Sequence, residues 1–221
     1  MTSKQRRFAL APALLTACVS VRALEPHEPV RLESGMAMAF GRVRVFEGER
    51  ELTPWNADLA EEIVQPGDPE VRLALFRVES EERALYPVLQ RDGWFAWSLP
   101  AGTWLVYRSS SPEEPIWHDV LGAFQVRAES GAQYVGELEL DVSVSYDRYL
   151  AATGYTVLST EARGDPQAAR AFLEQRYPTI GCEWVEHRFV TAPELRSLFD
   201  DWKRERAERV LAELGLELLP Q

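Results

Sequence analysis

Between residues 36 and 146 the apolar residues come in short runs that alternate with polar ones, and glycine or proline interrupts each run. Alternation of period two is the signature of half-buried strands, so this part of the chain is constrained to β structure. Val43 and Val45 sit between Arg42 and Arg44, and residues 71–78 (VRLALFRV) place Val71, Leu73 and Leu75 on one face with Arg77 next in line. Further strands are predicted over 94–99, 103–108, 124–127, 132–140 and 142–146. Gly48, Pro66-Gly67, Asp92-Gly93, Pro100-Ala101-Gly102, Pro112 to Pro115 and Gly131 punctuate them as turns. Six or seven short strands at this spacing predict an antiparallel β-sandwich. Residues 55–64 fit a helical turn and a loop equally well. The Glu79–Arg83 run (ESEER) reads as a solvated turn between strands.

Beyond Tyr146 the pattern changes. Asp165-Pro166 opens a predicted helix running to Tyr177, with Ala169, Phe172, Leu173 and Tyr177 along one side and Pro178 ending it. Residues 182–190 (CEWVEHRFV) read as a strand. Thr191-Ala192-Pro193-Glu194 has capping-box spacing and predicts a second helix to about Leu214, with Gly215 past its end. Leu195, Leu198, Phe199, Trp202, Val210, Leu211 and Leu214 form its apolar stripe, and the run KRERAER is its solvated side. The expected class is α+β: a sandwich over 36–146 followed by a C-terminal α/β appendage, 147–221, with two helices.

The chain has 221 residues, 24 basic against 35 acidic, for a formal charge of −11. That length suits one domain with an appendage and is ample for a core. The acidic balance argues against nucleic acid as a partner, because phosphate contacts need clustered Lys and Arg. Two cysteines cannot build a disulfide framework.

The N-terminus carries an address. Lys4, Arg6 and Arg7 precede an apolar stretch from Phe8 to Ala17, too short to span a bilayer as a helix. The stretch ends Leu15-Thr16-Ala17-Cys18. This resembles the lipobox of bacterial lipoproteins, and the resemblance implies cleavage before Cys18, a diacylglycerol on its thiol and acylation of the freed amine. Stable anchoring takes about two acyl chains at roughly 0.8 kcal/mol per buried methylene, so such a cysteine would hold the protein without a spanning helix. Val19, where an Asp would retain such a protein in the inner membrane, points to the outer membrane of a double-membraned source. Loss of residues 1–17 removes three basic residues and no acid, leaving 21 against 35, a formal −14. Anionic lipid repels such a charge, so the lipid must do the anchoring. Residues 18–35, with Glu25-Pro26-His27-Glu28-Pro29, read as a semi-extended tether. Its seventeen residues after the cysteine would lift a domain at most about 55 Å. His27 reads as solvated.

The stretch Asp92-Gly93-Trp94-Phe95 through Leu99-Pro100-Ala101-Gly102-Thr103-Trp104 combines a glycine turn, a strand and a Leu-Pro-x-Gly reversal suited to a hairpin. It resembles the "DGxFxxxLPxGxY" hairpin of transthyretin-like sandwiches, including the regulatory modules beside carboxypeptidases. Trp104 takes the slot usually held by tyrosine. Phe124 to Leu140 is similar to the closing strands of those modules. The resemblance covers residues 36–146, about half the chain, and implies a mostly non-catalytic sandwich to which no catalytic residue can be carried.

Several residues invite chemistry. Trp94, Trp97 and Trp104 are the candidate ligand-binding residues, since exposed indoles stack on sugar rings, and Trp117 lies near them. Trp94 and Trp97 must point to opposite faces of one strand, so at most part of the set forms a platform, and core and inter-sheet packing is the better explanation of the set. His118-Asp119 is the only His-Asp pair, and a hydrolase site would have to be assembled from distant residues such as His118, Asp119 and Glu186. Adjacent strand residues face opposite ways, however, and no G-x-S-x-G elbow accompanies Ser109, Ser110 and Ser111. Cys182 and His187 are spaced C-x₄-H without a second such unit, and the acids lack EF-hand spacing, so no metal or cofactor is expected. Cys182 reads as a free thiol. Gly93, Gly102, Gly131 and Gly136 form no phosphate-cradling loop. The expected function is a non-catalytic binding or assembly module. It would be exported and anchored through Cys18, with envelope proteins or polysaccharide as partners. A glycan-binding accessory module and an envelope hydrolase are the alternatives.

Overall fold

The computed structural model describes residues 22–52, 73–84, 92–109, 117–146, 148, 152–180, 184–216 and 218. They form an α+β fold rich in sheet. Among the described residues eleven strands run in chain order: β1 (Arg22–Ala23), β2 (Met36–Glu47), β3 (Arg50–Leu52), β4 (Leu73–Arg77), β5 (Glu82–Ala84), β6 (Trp94–Pro100), β7 (Gly102–Ser109), β8 (Trp117–Val126), β9 (Ala132–Tyr146), β10 (Ala152–Arg163) and β11 (Val185–Glu186). The helices are α1 (Pro166–Arg176), α2 (Pro193–Arg196) and α3 (Arg204–Glu213).

The strands make two sheets. One has the order β1-β6-β2-β9-β10, with β3 on β2 and β11 on β9. The other has the order β5-β4-β7-β8. The expectation of a purely antiparallel arrangement is corrected: β2 and β9 pair in parallel, as do β11 and β9. Between β2 and β9 the chain builds the whole four-stranded sheet. It thus re-enters the first sheet in its original direction, which a parallel pair requires. The Leu99-Pro100-Ala101-Gly102 reversal is likewise no hairpin. β6 and β7 lie in different sheets, and the turn is a corner between them.

That corner is pinned from below. Glu79 is 2% exposed and accepts the Thr103 N–H with both carboxylate oxygens, at 2.8 and 2.9 Å. The Arg77 guanidinium donates to the Ala101 carbonyl, and the Trp104 indole donates to the Pro100 carbonyl at 3.1 Å. Glu79 therefore does not belong to a solvated turn, and that reading is corrected. A side chain at Gly102 would bring its Cβ within 2.6 Å of Arg77 Nε, so the corner has room for nothing larger.

Three apolar clusters stack through the molecule. The inner faces of both sheets share one core, including Val43, Val45, Leu75, Trp97, Trp104, Val106, Phe124 and Leu138. The outer face of the four-stranded sheet, with Phe76, Leu105 and Tyr107, is covered by Leu195, Leu198, Ala207 and Leu211 from the C-terminal helices. β4 is thus buried on both faces, which explains why Ala74 and Phe76 are as dry as Leu73 and Leu75. One half of the seven-stranded sheet's outer face, with Met38, Phe40, Trp94 and Tyr134, is covered by Ala169, Phe172, Leu173 and Tyr177 of α1 and the residue after it. α1 follows the sequence closely: Asp165 caps it by accepting the N–H groups of Gln167 and Ala168 at 3.0 and 2.9 Å.

Gly136 divides β9 into two halves. Its φ is +89°, and a Cβ there would lie 2.6 Å from the Arg163 carbonyl oxygen. The pairing with β2 shifts register between Phe40 and Arg42, so one extra β9 residue stands at this bulge. Before it, Ala132 and Tyr134 face outward. After it, Glu137 and Glu139 do, while Leu138 and Leu140 turn into the core.

Residues 22–35 are not a free tether. β1 pairs with β6, Arg22 opposite Ser98 and Ala23 opposite Trp97. Leu24, Val30 and Leu32 pack against the cluster under α1. Of the expected strand over 182–190, the described residues 184–190 contain the two-residue β11, after which Val190 bridges to Ala123 of β8. The long second helix is broken into α2, a 3₁₀ turn at Ser197–Phe199 and α3. Thr191 makes no capping box, since the N-cap is Ala192, which makes no side-chain cap.

Candidate functional site

The half of the outer sheet face that α1 leaves open carries charge. On β2 the outward positions are Arg42, Arg44 and Phe46; on β9 they are Glu137, Glu139 and Asp141. The registers set them in rows: Arg42, Glu137 and Arg163; Arg44, Glu139 and Glu161; Phe46, Asp141 and Ser159. Cross-strand neighbours at this spacing interact directly. Arg44 binds Glu51 of β3 through two nitrogens, at 2.9 and 2.7 Å, and Glu139 through the third, at 2.9 Å. Arg163 closes the other side, 3.1 Å from Glu139 and 3.0 Å from Glu161.

The electrostatics follow the geometry. The hydrogen bond to Glu51, with the charges of Glu51, Glu139 and Glu137, raises the Arg44 pKa against the cost of burial. The same hydrogen bond lowers the Glu51 pKa below its ordinary value. Glu137 moves the other way. Its side chain is 7% exposed with Arg44 4.0 Å away, and burial raises its pKa while Arg42 and Arg44 offset part of the effect. Tyr134 lies in the covered half, on the other side of the Gly136 bulge from the strip. Its hydroxyl oxygen accepts the Asp165 N–H at 3.0 Å, and burial pushes its pKa to about 12.

Toward the Glu47 end of β2 the strip opens into a hollow of about 430 Å³. Glu49, Glu139, Asp141 and Glu161 outnumber Arg44 and Arg163 there, with Phe46 and Ser159 also in the wall. The carboxylates already fix both guanidinium groups, so the wall is preorganised. Its surplus acid favours cationic groups of a ligand. Ser159 brings a hydroxyl to this wall, and the remaining chemistry is that of charge recognition.

The residues singled out in the sequence lie elsewhere. Trp94, Trp97 and Trp104 are 6%, 0% and 1% exposed. Trp94 stacks on Phe172 at 4.5 Å, Trp97 stacks on Phe95 at 3.7 Å, and Trp104 lies in the core between the sheets. As alternation requires, Trp94 and Trp97 serve opposite faces, but both faces are covered. None of these three rings is open to a sugar, so the candidate stacking role of Trp94, Trp97 and Trp104 is corrected to the core packing that their alternation already favoured. His118 and Asp119 belong to β8 of the four-stranded sheet, whereas Glu186 belongs to β11 of the other. Glu186 is taken by Arg188 at 2.8 Å. His187 is half-buried and its pKa is lowered, first by burial and then by Arg127. Cys18, Cys182, residues 55–64, Pro66-Gly67, Ser110, Ser111 and Pro112 to Pro115 fall outside the described residues.

Sequence reading missed the charged strip. The alternation of Glu137, Glu139 and Asp141 with Leu138, Leu140 and Val142 was its signal, but only the registers show that these acids face Arg42 and Arg44. Among the described residues, no three His, Cys, Asp or Glu side chains are grouped to hold a metal ion, and no helix is long and apolar enough to cross a membrane. No protein-family model matches the chain, nor does any curated protein or solved structure.

Proposed function

We propose that the chain is an envelope lipoprotein, anchored through Cys18, whose body acts as a non-catalytic binding or assembly module. The carrying observation is Leu15-Thr16-Ala17-Cys18 after a basic start and a short apolar stretch. Val19 supports delivery to an outer membrane. The hollow beside Arg44 supports the binding role, because Arg44 and Glu139 in its wall are already paired before any ligand arrives. In this reading the body is a transthyretin-like sandwich. Two sheets sharing a core support it, with Asp92-Gly93 at the head of β6 and the Leu-Pro-x-Gly corner leading into Trp104.

The anchor is tested in a bacterial host by blocking the lipoprotein signal peptidase with globomycin. An uncleaved precursor should accumulate, and Cys18→Ala should leave the leader attached and abolish lipid labelling. Normal processing of Cys18→Ala, or no precursor under globomycin, overturns the proposal.

A further inference from the structure

The lipid reading of Cys18 places an anchor four residues before Arg22, and Arg22 is already part of the sheet. We infer that the body stands on the bilayer by one end, with the corner at Ala101 and the turn at Gly35 next to the lipid surface and the charged hollow pointing away from it. The inference rests on the anchoring proposal and goes beyond it, because an anchor alone leaves orientation free.

Four residues at full extension reach about 14 Å, against the 55 Å or so of a free 18–35 tether. The strap that removes the slack is held at many points. Leu24 donates its N–H to the Ala96 carbonyl at 2.9 Å and accepts the Tyr177 hydroxyl at 2.7 Å. The His27 N–H meets the Arg176 carbonyl at 2.7 Å, where the chain turns with His27 at φ 65°. Leu24, Val30 and Leu32 are packed beneath α1. The Ala101 N–H donates to the Gly35 carbonyl at 3.2 Å, tying the strap's far end to the corner between the sheets.

Strand direction then fixes which end is near. Arg22 lies opposite Ser98, beside the Pro100 end of β6, and Met36 lies opposite Pro100. β2 runs from this end to Glu47, eleven residues on, or about 36 Å at roughly 3.3 Å per residue. Phe46, Glu49 and Asp141 of the hollow are at that distal end. The strap itself exposes Glu25, Glu28, Glu33 and Arg31. These suit a hydrated headgroup layer and not hydrocarbon, so the partner is a bilayer surface that the strap touches without entering.

The test uses the full-length lipidated protein in vesicles of phosphatidylethanolamine and phosphatidylcholine carrying a rhodamine-headgroup lipid. An azide-bearing residue at Ser34 or at Glu49 takes a donor dye. Mass spectrometry of the N-terminal peptide first establishes diacylglycerol on Cys18. Energy transfer should be several-fold stronger from position 34 than from position 49. It should fall at position 34 when Leu24→Asp with Tyr177→Phe releases the strap. Equal transfer from both positions on a lipidated protein, or no response to release, overturns the orientation and leaves the anchor standing. A Cys18 peptide without lipid overturns both.

Discussion

Glu137 and Glu51 flank Arg44 on one charged strip and titrate in opposite senses. The folded pKa of Glu137 is raised above the ordinary value of 4.5. Its favourable contribution is therefore complete below that value and is lost as the pH climbs through the raised one. The folded pKa of Glu51 is lowered, so its contribution is present above 4.5 and is lost as the pH falls through the lowered value. Glu137→Gln is expected to gain stability relative to the parent as the pH rises from 4.5 to 8. Glu51→Gln should cost stability at pH 7, at most about 1 kcal/mol because the pair is partly solvated, and the cost should vanish in acid. Thermal melts across pH check both; parallel pH profiles for the two variants would contradict the assignment. At this scale the sequence is least legible. Glu79 stands in a run of charge, ESEER, and nothing local separates it from its solvated neighbours. Only the corner 24 residues away, which needs a buried acceptor for the Thr103 N–H, makes it a core residue.

Among elements, α1 was the most legible, because its start, end and buried side are all local signals. Phe172 is 4% exposed, stacks on Trp94 and packs 5.5 Å from Tyr177. Phe172→Ala should cost about 3 kcal/mol or more, read as a lower urea midpoint at unchanged slope. The second predicted helix failed at a slip of phase. Leu195, Leu198, Phe199 and Trp202 keep helical spacing, but the next buried residue, Ala207, comes five positions on. One straight helix cannot face both sets to the sheet, so the chain breaks at Asp200–Lys203, and Arg206 ties across the break to Ser197 at 2.7 Å. β10 was missed for another reason. Among its positions with described burial only Val157 is buried, and register shifts near Gly154 and Ser159 disturb its alternation.

For the whole molecule, the boundary read at residue 146 does not separate two bodies. β10 extends the first sheet along β9, and the residues after it cover both outer faces. A chain ending at Arg163 would uncover Phe76, Leu105 and Tyr107 on one side and Phe40 and Trp94 on the other. It should bind a hydrophobic dye such as ANS and aggregate, whereas the complete chain should unfold in one cooperative transition. A soluble, cooperatively folding 1–163 fragment would contradict this. The two-sheet architecture was visible in the alternation. The parallel partnership of β2 and β9 was not, because no local signal couples residues so far apart in the chain.

The segment from Val185 to Val190 laces the two sheets together. His187 and Phe189 donate to the carbonyls of Tyr134 and Val135 on β9, and Val190 exchanges two hydrogen bonds with Ala123 on β8. Those bonds are made by residues that come later in the chain than both strands they join. For a polypeptide that emerges N-terminus first, from a ribosome or from a translocation pore, the seam stays unsewn until residue 190 arrives. Both sheets therefore have their other strands in hand before the seam that joins them can close.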